Sequence, residues 1–251
     1  MTNSGARPVG AVDEATASAG VRRMFDAIAP RYDLLNHLLS ADVDRYWRRR
    51  AARRFKNLLA DPEAAVLDLC CGTGDMTLAM LKLRPQNAKP ILAADFSRAM
   101  LAIAEKKFAG RNAAVAEADA MQLPLADGAQ DLIVTAFGFR NLSNYAGGLR
   151  EFHRVLKPGG QLGILEFSEP GGWLGRVYAL YFRRVLPMIG RAVCGQDGPY
   201  SYLPASVGKF PAPEKMLAMM HDAGYVECAW RPYTFGVAGL YTARRPDAIG
   251  G

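Results

Sequence analysis

Asp68-Leu69-Cys70-Cys71-Gly72-Thr73-Gly74-Asp75, placed directly after Ala65-Val66-Leu67, constrains this chain more than any other stretch. It reads as a short buried strand running into a glycine turn. Gly72 and Gly74 have no β-carbon, so the backbone can turn sharply there and approach a ligand closely. An acid, Asp68, sits at the strand end. Such a loop suits a nucleotide-like cofactor. A dinucleotide fingerprint needs G-x-G-x-x-G, and Thr77 occupies the third glycine position. Counted on alternate positions, the loop is instead acid-x-G-x-G-x-G, with Cys70 at the first glycine. Asp95 ends the next strand, where a carboxylate can accept both ribose hydroxyl protons. The missing glycine disfavours an oxidoreductase.

The rest of the chain alternates in the same style. Strands are expected at 66–70, 91–95, 113–118, 131–136 and 161–167. Helices are expected at 75–83, 97–108 and 145–156. Strands separated by helices of this length imply a parallel sheet covered on both faces. A helix at 213–223 and strand-like runs around 226–230 and 235–243 follow. Residues 21–59 look helical, interrupted near Pro30 and Ser40. Residues 1–19 are small and polar and read as a disordered tail. The domain expected is a single one over residues 20–245, with residues 171–210 as an inserted lid and 246–251 as a C-terminal tail.

Half of the 251 residues are hydrophobic, enough for a substantial core. The four cysteines show no metal-ligand spacing, and a reduced, cytoplasmic setting is expected. Met1 to Ala19 lacks the apolar core of a signal peptide, and no run approaches a membrane span. The net charge of +7 is uneven. Residues 1–60 carry eleven Lys/Arg against six Asp/Glu, and residues 171–195 carry four Arg and no acid. Nucleic acid and an anionic membrane surface are both open as partners. For Arg45 to Lys56, a solvated helix face explains the charge equally well. In the 173–194 segment, Arg176, Arg183 and Arg184 share a helical arc of about 100° opposite Val177, Tyr178, Tyr181 and Phe182. A lid or membrane-surface helix fits this pattern, and so does an ordinary cap helix.

Further segments carry a resemblance. They are Met24-Phe25-Asp26, Arg31-Tyr32-Asp33, the 67–75 loop, Phe137-Gly138-Phe139-Arg140-Asn141, Arg154-Val155-Leu156-Lys157-Pro158-Gly159-Gly160, Leu165-Glu166-Phe167-Ser168 and Tyr200-Ser201-Tyr202-Leu203. On these, the chain resembles the ubiquinone/menaquinone biosynthesis C-methyltransferases, within the class I S-adenosylmethionine-dependent methyltransferases. The likeness spans about residues 21–245. It implies a Rossmann-like doubly wound α/β sheet, seven-stranded, with an N-terminal helical cover and an inserted lid. It implies that Gly72, Thr73 and Gly74 contact the methionine part of S-adenosylmethionine, Asp95 the ribose, and Asp119 and Ala120 the adenine. Read by itself, Asp119 can equally cap the next turn. Tyr32 would cover the cofactor. Two positions depart from the family pattern: Ala136 stands where serine is common, and Phe139 where isoleucine or leucine is usual.

The implied reaction needs no metal, because a sulfonium is already activated. Methyl transfer is an in-line displacement in which alignment is a large part of catalysis. A quinol ring carbon becomes nucleophilic when a ring hydroxyl loses its proton. Arg140, just beyond the fourth strand, is assigned phenolate stabilisation, with a surface or salt-bridging arginine as the other reading of the residue by itself, and Asn141 orientation of the ring oxygen or of a water. Glu166 reads as a base or as a partner of a backbone amide. The implied acceptor is demethylmenaquinol, a 2-methoxy-6-polyprenyl benzoquinol, or both. Another small hydrophobic acceptor is the first alternative, and a non-enzymatic nucleic-acid-binding protein the second, though nucleic acid is not the expected partner. A peripheral membrane contact and a homodimer are further candidate associations.

Overall fold

The computed structural model describes residues 5–6, 13–32, 40, 42–168 and 206–248. The elements are α1 Glu14–Ile28, a 3-10 turn Ala29–Arg31, α2 Val43–Arg54, α3 Lys56–Ala60, β1 Val66–Leu69, α4 Asp75–Leu81, β2 Ile91–Asp95 and α5 Arg98–Phe108. They continue with β3 Ala113–Glu117, β4 Gln130–Ala136, a 3-10 turn Phe139–Asn141, α6 Tyr145–Val155, β5 Leu156–Phe167, α7 Pro213–Asp222, β6 Val226–Tyr233 and β7 Ala238–Arg244. Most of the lid expected at 171–210 lies outside the described residues, as do its arginine-bearing helix and Tyr200–Leu203.

The sheet has seven strands in the order β3-β2-β1-β4-β5-β7-β6. β1 to β5 are parallel, and β7 pairs antiparallel with both β5 and β6. The order reverses between β1 and β4. In open α/β sheets, ligands bind outside the carboxyl ends of the strands at this switch point. The sheet is thus mixed, where the alternating pattern predicts a parallel one. The reason is local: β6 and β7 are joined by the short turn Thr234–Gly236, which only an antiparallel pair permits.

Two apolar layers cover the faces. Val66, Leu132 and Val134 pack under Trp47, Ala51, Phe55 and Leu59 from α2 and its continuation, and under Met76 and Met80 of α4. Leu67, Leu69, Ile133 and Ile164 face the other way, onto Leu149 and Phe152 of α6 and Met216 and Met220 of α7. Successive strand residues alternate faces, so one run of apolar residues feeds both layers. α6 buries Tyr145, Gly148, Leu149, Phe152 and Val155, a helical stripe, and the Asn144 side chain caps it by accepting the Gly147 amide at 2.9 Å.

Two boundaries differ from the sequence expectation. α1 starts at Glu14, before residue 21, because Asp13 and Thr16 form a capping box that satisfies its first amides. β5 starts at Leu156, before Gln161. Lys157-Pro158-Gly159-Gly160 is a bulged strand entry with Gly159 at φ 77°, and it pairs with Arg245 through the Gly159 amide and the Gly160 carbonyl.

Candidate active site

The site grows from the end of β1. Cys70, Gly72 and Gly74 all have positive φ, at 55°, 55° and 90°. A β-carbon on Gly74 would lie 2.3 Å from the Phe108 ring, so glycine is required there for space as well as for conformation. Gly74 does not line the cleft; it turns the chain into α4. The Cys71 amide donates to the Ala94 carbonyl (3.0 Å) and the Gly72 amide to Asp95 Oδ2 (2.8 Å). Asp95 Oδ1 accepts the Ser97 amide at 2.9 Å. The loop and the second-strand acid are therefore one hydrogen-bonded unit. Burial pushes the Asp95 carboxyl up to about 6 against these amide bonds, which pull it down.

Asp68 is fully buried. Its Oδ2 accepts from Thr77 Oγ1 at 2.5 Å, and its Oδ1 has no hydrogen-bond partner. Desolvation raises its carboxyl to about 7. The residue that breaks the dinucleotide pattern is therefore used structurally, because a glycine at 77 would strip Asp68 of that donor. At the start of α4, Lys107 Nζ bridges Thr73 Oγ1 (3.1 Å) and Asp75 Oδ1 (2.9 Å).

β4 supplies the opposite wall. Phe137 follows it at φ 63°, a strained conformation for an aromatic residue. Gly138 lets the ends of β1 and β4 approach, since a β-carbon there would lie 2.4 Å from Cys70 Cβ. The roof comes from α1 and its 3-10 turn. Phe25 packs edge-to-face on Tyr32 at 5.9 Å and on Phe96 at 6.4 Å, while Ser97 Oγ donates to Asp26 Oδ1 at 2.5 Å and ties this roof to α5.

These walls border an open cleft of about 850 Å³, its mouth included. Of the residues expected from sequence, Tyr32, Gly72, Thr73, Asp95, Asp119, Ala120 and Asn141 line it. Asp119 is exposed, and its Oδ1 also accepts the Met121 amide at 2.8 Å, so it braces its own turn while lining the cleft. Arg140 does not line it. Its side chain is buried, Nη1 donates to Glu166 Oε1 at 2.9 Å and to the Phe137 carbonyl, and Nε donates to Ser206 Oγ at 3.3 Å. Glu166, wholly buried, also accepts the Arg140 amide at 3.2 Å and the Phe167 amide at 2.9 Å. Of the two readings open for Glu166, the backbone-amide partner is the one found.

One lining residue escaped the sequence reading. Arg48 of α2 sits in the Arg48–Arg54 run that reads as a solvated face, yet it is buried. It pairs with Asp44 one helical turn earlier, and its guanidinium lies 5.1 Å from the Phe137 ring centroid. The signal was available: Asp44 and Arg48 flank Trp47 and Ala51 on the apolar stripe of the helix.

Among the described lining residues, Asp68, Asp75, Asp95 and Asp119 oppose one cation, Arg48. An acidic cleft with an unpartnered buried carboxylate oxygen and a glycine loop fits a cationic, nucleoside-bearing ligand such as S-adenosylmethionine. Among the described residues no cluster of His, Cys, Asp and Glu could hold a metal ion.

The switch-point cleft, the alternate-position loop and the facing acid define a class I S-adenosylmethionine-dependent methyltransferase. A solved S-adenosylmethionine-dependent methyltransferase from Aquifex aeolicus shares the fold, with a TM-score of 0.56, 19% identity, and coverage of 77% of this chain and 88% of that one. Residues 12–245 match the model of the ubiE/COQ5 methyltransferase family, and the chain belongs to that family. It is 49% identical to a demethylmenaquinone methyltransferase of Thermus thermophilus, over 89% of this chain and all of that protein. It is 43% identical to a ubiquinone/menaquinone biosynthesis C-methyltransferase of Geobacter sulfurreducens, over 90% of this chain and 88% of that protein.

Proposed function

We propose that this enzyme methylates a ring carbon of a prenylated quinol: demethylmenaquinol, giving menaquinol, 2-methoxy-6-polyprenyl-1,4-benzoquinol, or both. The names of the relatives at 49% and 43% identity support the acceptor. The observation that carries the donor side is the acidic cleft, with Asp68 Oδ1 unpartnered within it. S-adenosylmethionine supplies an electrophilic methyl group on a cationic sulfonium. Asp95 would hold its ribose, the Gly72–Thr73 segment of the loop its methionine part, and Asp119 and Ala120 its adenine, with Tyr32 covering it. Asp68, whose Oδ1 is unpartnered, would complement its positive charge, whereas Asp75 is already paired with Lys107.

The acceptor lies against the β4 wall in this reading. Arg48 is the cation that lines the cleft there, and it stabilises the phenolate that activates the ring carbon. Asn141, which also lines the cleft, orients the ring oxygen. Arg140 acts at one remove. Paired with Glu166 and bonded to the Phe137 carbonyl, it fixes the strained Phe137–Asn141 segment in place. Water is kept from the anion by Phe137, Leu142 and the roof. The quinol is a bilayer compound, so the enzyme works at the inner face of the membrane as a peripheral protein.

The test uses the purified chain with methyl-labelled S-adenosylmethionine and each reduced quinol in turn. Label in the ring of either quinol is expected. Label in neither overturns the acceptor, while calorimetry of S-adenosylmethionine binding reports the donor separately.

A further inference from the structure

The turn between β6 and β7 places Thr234, Phe235 and Gly236 at φ 45°, 56° and 89°. Two-residue hairpin turns with both central residues left-handed favour Asn-Gly or Asp-Gly. The Val237 amide donates to the Thr234 carbonyl at 3.1 Å, so the central pair is Phe235-Gly236: the glycine suits its position, and Phe235 stands where Asn or Asp is preferred. The Thr234 side chain has a visible role within the fold. Its Oγ1 accepts from Trp47 Nε1 at 2.7 Å, which fastens the turn to α2. Among the described residues the Phe235 ring has no such partner. It is 82% exposed, the most exposed of their large hydrophobic side chains, and Tyr46 follows at 51%.

The two exposed rings are parts of one surface. Arg50 lies 4.7 Å from the Tyr233 ring centroid and donates to the Tyr46 hydroxyl at 3.2 Å. Arg45, Arg49, Arg50, Arg53 and Arg54 are exposed along α2, followed by Lys56, with Arg231 on β6. Apart from Arg45, which pairs with exposed Asp42 at 3.3 Å, none of these cations has an ion-pair partner among the described residues. On its α4 side the helix borders an open groove lined by Arg45, Arg48, Arg49 and Lys82 together with the acid Asp75. The surface lies on the carboxyl side of the sheet, since Phe167 at the end of β5 pairs with Ala238 just after the turn. Trp47 spans the distance to the site, 6.0 Å from both Phe137 and Phe167.

We infer that the outer face of α2 and the Phe235 turn form a docking surface for an anionic lipid bilayer. The arginines meet the headgroups, and Phe235 enters the acyl boundary. Single-stranded nucleic acid would take the same charge and stack a base on the ring; the bilayer is preferred because the surface lies on the cleft side of the sheet in an enzyme whose proposed acceptor is a bilayer compound. The surface deepens the quinol reading, because its purpose rests on a membrane-borne acceptor. Its observations are independent of the active site.

The test is cosedimentation of the full chain with vesicles of phosphatidylcholine alone and of phosphatidylcholine with one quarter phosphatidylglycerol. Binding to the anionic vesicles only, released by high salt, is expected. Phe235→Asn keeps every charge and suits the left-handed conformation, so it folds at least as stably; it is expected to weaken vesicle binding about ten-fold. Arg49→Glu with Arg53→Glu is expected to weaken it about 25-fold or more. Both variants should methylate a short-chain quinol in vesicle-free buffer as the parent does, and lose turnover on a long-chain quinol in anionic vesicles. Unchanged vesicle binding in either variant overturns the surface, as does tighter binding to a single-stranded RNA than to the anionic vesicles. Vesicle binding without methyl transfer to any quinol would fail the acceptor reading and leave the surface standing.

Discussion

The Gly72 amide donates to Asp95 Oδ2 at 2.8 Å, which locks the glycine loop of β1 to the acid that ends β2. Asp95 is thus expected to serve twice, as the ribose ligand and as the anchor of the loop that holds the methionine part. Asp95→Ala is expected to raise the S-adenosylmethionine dissociation constant by at least about ten-fold, the loss of a charge-assisted bond. Asp95→Asn, which can still accept the Gly72 amide, should lose less. Calorimetry of both variants checks the order; equal losses would show that only the ribose contact counts.

Asp68 gives the unliganded enzyme a pH signature. Its carboxyl rises from the ordinary 3.8 to about 7 because burial disfavours the anion. A raised acid binds its proton more tightly in the folded chain, so its contribution to stability is full below pH 4 and fades as pH rises to 7. The span is about 4 kcal/mol as an upper limit. Asp68→Asn removes the titration, so the stability of the variant relative to the parent is expected to climb between pH 4 and 7 in thermal melts. A flat difference would be contrary. Asp95, raised to about 6, leaves both proteins a shared slope below that pH.

Arg140 and Glu166 form a buried pair at 2.9 Å. Removing one partner leaves an uncompensated charge, worth roughly 3–5 kcal/mol. Arg140→Ala is expected to cost that stability and to lower turnover together. Adding Glu166→Gln should recover much of the stability. If Arg140 positions the Phe137–Asn141 segment, turnover recovers in part with it. If Arg140 touched the phenolate, stability would return without turnover.

The fold was legible because its signals are local. Val66–Leu69 is a buried run whose three apolar side chains face the apolar layers, and Gly72 and Gly74 mark the turn. The strand-end wall of the cleft was legible for the same reason, since Asp95, Asp119 and Ala120, which line it, sit just beyond strands where the topology puts ligands. The acceptor side was not. Arg140 reads either as a cation in the site or as a salt-bridging arginine until the sheet register brings Glu166 against it, 26 residues away. Arg48 reads as one of several surface arginines until the packing of α2 under Trp47 turns it inward. The positive φ values of Cys70 and Phe137 carry no sequence mark, because neither residue is a usual left-handed type.

In the proposed function Arg48 is the residue on which the acceptor chemistry turns. Its guanidinium lines the cleft beside Phe137, and Asp44, 2% exposed, is its partner. Arg48→Ala alone would strand that acid, so Arg48→Ala with Asp44→Asn is the fairer variant. Loss of the cation removes a group that stabilises charge formed only in the transition state, which typically lowers kcat by about 100-fold. The dissociation constant for S-adenosylmethionine should stay level or fall, because one positive charge leaves a cleft that binds a cation. A nearby cation also favours the phenolate, so without it the acceptor loses its proton at higher pH. The acidic limb of the kcat profile is expected to move toward alkali in the variant and to return in Arg48→Lys. A lowered kcat with an unmoved profile would mean that Arg48 only packs against Phe137.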